Sequence, residues 1–140
     1  MPVRKPYGRI NFTALILLAA IAAGLYAVIL FAPVYADDWD VKEAINIAHN
    51  QIGKLSDGQA RELIRGKLHY VGTHQQYDLY GNLKTVQGLG LSDEAIVIER
   101  DHVRGTALIR VDYEREVYAK LIKRTFRVKF HPQRSGPVLK

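Results

Sequence analysis

The strongest pattern along the chain is an unbroken apolar run. Residues 12–34 read FTALILLAAIAAGLYAVILFAPV, without one charged side chain. About 20 such residues suffice to cross a bilayer core as a helix. The run is 21 residues long from Phe12 to Ala32, before Pro33 intervenes. A secretory signal has an apolar core of roughly 7–15 residues, so the length favours a retained transmembrane helix. Val34-Tyr35-Ala36 nevertheless offers small residues at signal-peptidase spacing, with cleavage before Asp37 as the alternative reading. Pro33 lacks a backbone donor and is expected to kink or end the helix. Ala20 and Gly24 stand four apart within the run, a small-xxx-small pair of the kind that lets two membrane helices approach closely; they are the candidate helix-packing positions.

Beyond the run the pattern changes to amphipathic. Asp40-Val41-Lys42-Glu43 reads as a helix start, Asp40 capping and Glu43 reaching back. Val41, Ala44, Ile45, Ala48 and Ile52 follow on one helical face, and Gly53 is a natural stop. Ser56-Asp57-Gly58-Gln59 is a capping box, followed by the stripe Ala60, Leu63, Ile64, Leu68 and Val71 and closed by Gly72. Residues 72–92, rich in glycine and polar groups, read as a long connection pinned by Tyr77, Leu79, Tyr80 and Leu83. So long a connection inside a small domain points to binding or mobility, which makes these four the candidate partner contacts.

Strand signals fill the last third. Residues 95–99 (AIVIE) are short and β-branched, with 101–105 as their turn. Ala107, Ile109, Val111 and Tyr113 alternate with Leu108, Arg110, Asp112 and Glu114. After a turn near Ala119, Phe126, Val128 and Phe130 alternate with Arg127, Lys129 and His131. Period two with one apolar face marks half-buried antiparallel strands. The expected fold is α+β: an N-terminal transmembrane helix, then two short helices packed on a three-stranded antiparallel β-meander. The expected division is a basic leader over 1–11, a membrane helix over 12–34, a domain over 35–131 and a basic tail over 132–140.

Charge adds a direction to this layout. The net charge of +6 is concentrated at the ends. The leader carries Arg4, Lys5 and Arg9, residues 37–114 sum to −4, and residues 115–140 sum to +7. Cations before the run and Asp37, Asp38 and Asp40 after it place the N-terminus in the cytoplasm. Tyr35 and Trp39 then fall at the depth that amphipathic aromatics favour, or Trp39 packs under the domain. A basic tail outside the cytoplasm has no nucleic acid to meet, so a solvated tail or contact with lipid head groups is expected instead.

Candidate chemistry is sparse. No cysteine is present, which excludes a disulfide framework, a thiolate zinc site and a catalytic thiol. His69 and His74 lack the i, i+4 spacing for a metal on one helix face. Asp37, Asp38 and Asp40 lack the spacing and central glycine of an EF-hand. Ser56, Ser92 and Ser135 sit in no G-x-S-x-G elbow, and Glu114 and Glu116 share a charge-alternating strand face. No catalytic residue, cofactor site or metal site is assigned, and no enzymatic activity is expected.

The residues Ala32-Pro33-Val34-Tyr35, Val41-Lys42-Glu43-Ala44, Ile96-Val97-Ile98-Glu99-Arg100, Val111-Asp112-Tyr113-Glu114-Arg115-Glu116-Val117 and Phe126-Arg127-Val128-Lys129-Phe130 carry a resemblance. Over about residues 12–131 the chain resembles a family of small single-pass proteins of unknown function from Gram-negative bacteria, with a pilin-like organisation. The resemblance implies an inner-membrane anchor and a periplasmic α+β domain; it transfers no functional residue. Prepilins place Glu at the fifth position after a cleavage-site glycine, whereas Gly8 is followed by Arg9, Ile10, Asn11, Phe12 and Thr13. The expected role is a non-catalytic interaction or assembly module for an envelope complex, its partners being the bilayer and other membrane or envelope proteins. The alternatives are a minor pilin-like subunit of a filament or secretion pseudopilus, and a small ligand- or metal-binding periplasmic protein.

Overall fold

The structure, a computed structural model, describes Gly8 and residues 11–140. The leader cations Arg4, Lys5 and Arg9 lie outside the described residues. The chain divides into two compact units, Met1–Ala32 and Pro33–Lys140.

Helix α1 spans Phe12–Gln51. Its N-terminal part is long and apolar enough to cross a membrane, with a window of mean hydropathy 2.7 and none of that window buried. Ala20 and Gly24 are exposed there, and a Cβ added at Gly24 would meet nothing within 4 Å.

Two readings change in α1. Of the two outcomes expected at Pro33, a kink or an end, the helix does not end there, and Asp40 is not a cap but an exposed residue within it. The reason lies in the packing. Val34, Asp38, Val41, Ile45, Ala48 and Ile52 are buried at alternating spacings of four and three, one continuous helical stripe that begins directly after Pro33. A proline inside a helix costs about 3 kcal/mol. Burying Val34 at roughly 1.5–3 kcal/mol offsets much of that, since a helix starting at Asp40 would bury Val41 and Ile45 but not Val34. One helix therefore stands where two were expected.

Helix α2, Asp57–Leu68, forms as the capping box predicts. Ser56 Oγ accepts from the Gln59 backbone N–H at 3.3 Å, and Gln59 Oε1 accepts from the Ser56 N–H at 2.9 Å. Ala60, Ile64 and Leu68 are buried. Gly72 follows at φ +66°, a conformation that costs glycine nothing.

The segment expected to be an irregular connection is a hairpin, β1 (Thr73–Tyr77) paired with β2 (Leu83–Gln87). A short 3₁₀ turn, Asp93–Ala95, leads into β3 (Ile96–Asp101), then β4 (Thr106–Val111). The long alternating run then breaks at Asp112, whose N–H donates to the Ala95 carbonyl at 2.8 Å. Beyond the break, β5 (Tyr113–Ala119) pairs with β6 (Arg124–Phe130), and β7 (Gln133–Pro137) returns to β4.

The three-stranded sheet is antiparallel, but its order is β3-β4-β7 and not the expected meander. The strand at 124–130 pairs with β5 in a separate ribbon, and residues taken for a tail supply the third strand. The core of this unit is the α1 stripe and Ala60, Ile64 and Leu68 of α2, together with Ile96, Ala107, Ile109, Val111, Tyr113 and Val117.

Candidate interaction surface

The β1–β2 hairpin has almost no buried face. Its strands read THQQY and LKTVQ, and only His74 and Val86 are half-buried. A lone two-stranded hairpin is marginal in water, so its base must be held. Gly88 N–H donates to the Gly72 carbonyl at 2.9 Å, and the His74 Nδ1 lies 2.7 Å from the Gly88 carbonyl oxygen. A Cβ at Gly88 would stand 3.2 Å from the His69 carbonyl oxygen at φ +96°, so this close approach requires glycine.

The tip is fixed by Asp78. Its Oδ1 accepts from the backbone N–H groups of Tyr80 at 2.9 Å and Asn82 at 2.8 Å. Its own N–H donates to the Asn82 carbonyl, and Gly81 turns back at φ +77°. The Asn82 and Tyr80 N–H groups stabilise the carboxylate and hold Asp78 below the usual carboxylate range. This is an Asx-type turn.

Everything apolar on this turn faces solvent. Leu79 is 100% exposed and Tyr80 88%; Tyr77 and Leu83 are exposed as well. The structure brings the four candidate contact residues together at one hairpin turn. They do not pin the segment to the domain as expected; they project from it. Asp78, which orders the tip, escaped the sequence reading, although an Asp three residues before Gly81-Asn82 is a turn signal.

A second exposed tip joins β5 to β6. Residues 120–123 form the turn, with Leu121 and Ile122 exposed and Lys123 at φ +50°.

The first residues of the second unit form a polar cluster with β5. Tyr113 Oη donates to Asp38 Oδ1 at 2.9 Å, Lys42 Nζ lies 2.6 Å from Asp38 Oδ2, and Arg115 pairs with Asp37. Tyr113 stacks on Phe130 with ring centroids 5.1 Å apart, and Tyr35 meets Phe130 edge-on at 5.6 Å. Burial foremost, then the bond to Asp38, pushes the Tyr113 hydroxyl above its usual range. Asp37, Asp38 and Asp40, weighed above as a cation site and as a helix start, instead supply two ion pairs and one exposed carboxylate. Trp39 is 76% exposed and does not pack under the domain.

The histidines are dispersed. The His49 Nε2 lies 3.1 Å from the Ala107 carbonyl oxygen in the core, His69 stacks edge-on to Tyr70, and His131 pairs with Asp112. Among the described residues, no group of three or more His, Asp or Glu is placed to hold a metal ion. Comparison with protein-family models, curated proteins and solved structures finds no match to this chain.

Proposed function

We propose that the chain is a single-pass membrane protein whose α+β domain is a non-catalytic interaction module, docking on another envelope protein through the β1–β2 tip. The observation that carries this reading is the ordered apolar tip: Tyr77, Leu79, Tyr80 and Leu83 exposed on a turn that Asp78 holds in place. Aromatic residues are enriched at interface cores, and a pre-ordered loop loses little entropy on docking. The charge on the hairpin favours a protein over a lipid. Residues 73–87 carry one Asp, one Lys and one His, without the cation excess that an anionic lipid surface selects.

The apolar part of α1 serves as the anchor in this proposal. Retention is supported by Val34, which is buried at 4% exposure; cleavage before Asp37 would remove it from the core. The leader cations favour a cytoplasmic N-terminus, and the family resemblance noted above implies a periplasmic domain on a bacterial inner membrane. Prepilin-type processing is not part of the proposal, because no Glu stands at the fifth position after Gly8.

The test is photo-crosslinking in native membranes from probes at Leu79 and Tyr80, with Lys54 as an exposed control. A discrete adduct from the tip positions, absent from the control and lost in a Tyr77→Asp, Leu83→Asp double variant, is expected. Mild detergent extraction should carry the same partner, read by native mass spectrometry. A chain that stays monomeric and crosslinks to nothing from either tip position would overturn the proposal.

A further inference from the structure

We infer that the β5–β6 tip is a second contact site, whose ligand is an anionic lipid surface. This goes beyond the proposed protein contact and uses a different part of the domain. The ribbon 113–130 holds six basic and two acidic side chains, and the two signs are separated along its length. Near the base, register places Glu114 opposite Lys129 and Glu116 opposite Arg127. Arg127 pairs with both glutamates, and Arg115 with Asp37. Toward the tip only cations continue: Lys120, Lys123 and Arg124, all exposed and without an ion-pair partner among the described residues.

Between these cations stand Leu121, 77% exposed, and Ile122, with Tyr118 exposed two residues before Lys120. An apolar wedge ringed by Lys and Arg with an adjacent Tyr is the pattern of an interfacial element: apolar side chains enter the head-group boundary, cations meet lipid phosphates and tyrosine sits at that depth.

Backbone geometry adds an independent observation. Lys123 is the one non-glycine described residue with positive φ. Glycine or asparagine would hold that position with less strain, yet the side chain there is a cation, at the last residue of the turn.

Each cation held near an anionic surface is worth about a fivefold preference, so three give about a hundredfold.

The experiment uses the full chain in nanodiscs of phosphatidylcholine alone or with about 30% phosphatidylglycerol, an anionic lipid. Amide exchange is followed at 118–125, and lipid-borne quencher is read against an indole introduced by Leu121→Trp in a Trp39→Phe background. The expected result is slower exchange and strong quenching only in the anionic discs. Both are lost at about 0.5 M salt, where charges beyond a few ångström are screened. Both are also lost in the Lys120→Glu, Lys123→Glu, Arg124→Glu variant, whose circular dichroism should match the parent. Exchange and quenching identical in the two lipids would overturn the inference. So would protection at the tip that appears only with a protein partner present. The β1–β2 crosslinks are read separately, so either proposal can fail alone.

Discussion

At the residue scale, Tyr113 ties the first turns of the second unit to β5. Its ring is buried against Phe130 and its hydroxyl meets Asp38. A buried hydroxyl bonded to a carboxylate contributes about 1.5–3 kcal/mol, so Tyr113→Phe should lose that much at neutral pH in urea unfolding. The pH dependence separates this bond from ordinary packing. The folded chain keeps the phenol proton above its usual range, whereas an unfolded tyrosine releases it near pH 10. Unfolding above that pH therefore releases a proton, and stability falls as pH rises. The wild-type advantage is full below about pH 10 and shrinks above it, so the two stability curves should converge in alkali. Curves that stay parallel to pH 11 would show that the hydroxyl carries no such role.

At the element scale, the α1–α2 connection is held from the sheet. Arg100 on β3 donates from Nη1 to the Ile52 carbonyl at 3.0 Å and from Nη2 to the Leu55 carbonyl at 2.6 Å, while its Nε meets Asp57 Oδ1 at 2.7 Å. Three acceptors spread around a plane suit a guanidinium and not an ammonium. Arg100→Lys keeps the charge and should still lower stability by about 1–2 kcal/mol, read as a shifted urea midpoint with unchanged slope. An unchanged midpoint would mean that the helix turn holds itself. Elements whose pattern pairs one apolar face with a local signal were legible in the sequence. The Ser56 capping box, the Val41–Ile52 face and the buried positions 107, 109, 111 and 113 are where periodicity puts them. Elements without a buried face were not. THQQY and LKTVQ show no alternation because both sides of that hairpin face water. The break at Asp112 was hidden because alternation continues across it, and sheet order depends on partners that no local pattern names. The candidate contact residues stand out in the sequence as aromatic and leucine side chains in a polar segment, while the turn that projects them is signalled only by Asp78 and Gly81-Asn82, which the glycine-rich composition of the segment masked.

At the scale of the whole molecule, the structure bears on where the second unit begins. The second unit starts at Pro33, and its core includes Val34, four residues past the last leucine or isoleucine of the apolar run. Two shortened chains test this, one beginning at Pro33 and one at Asp37. The longer keeps Val34 in the core and Tyr35 edge-on to Phe130. Losing the valine costs about 1.5 kcal/mol, and losing the half-exposed aromatic contact about 0.5–1 kcal/mol. Acidic Asp37 and Asp40 beside a new helix start return roughly 0.5 kcal/mol. The chain beginning at Asp37 should therefore be less stable by about 1.5–2 kcal/mol, since the burial lost exceeds the dipole gain. Equal urea midpoints would place the domain boundary after Ala36 and reopen the cleaved reading. A difference of the expected size means that a peptidase cutting before Asp37 would leave a weakened fold, so the residues that end the apolar run belong to the domain it carries.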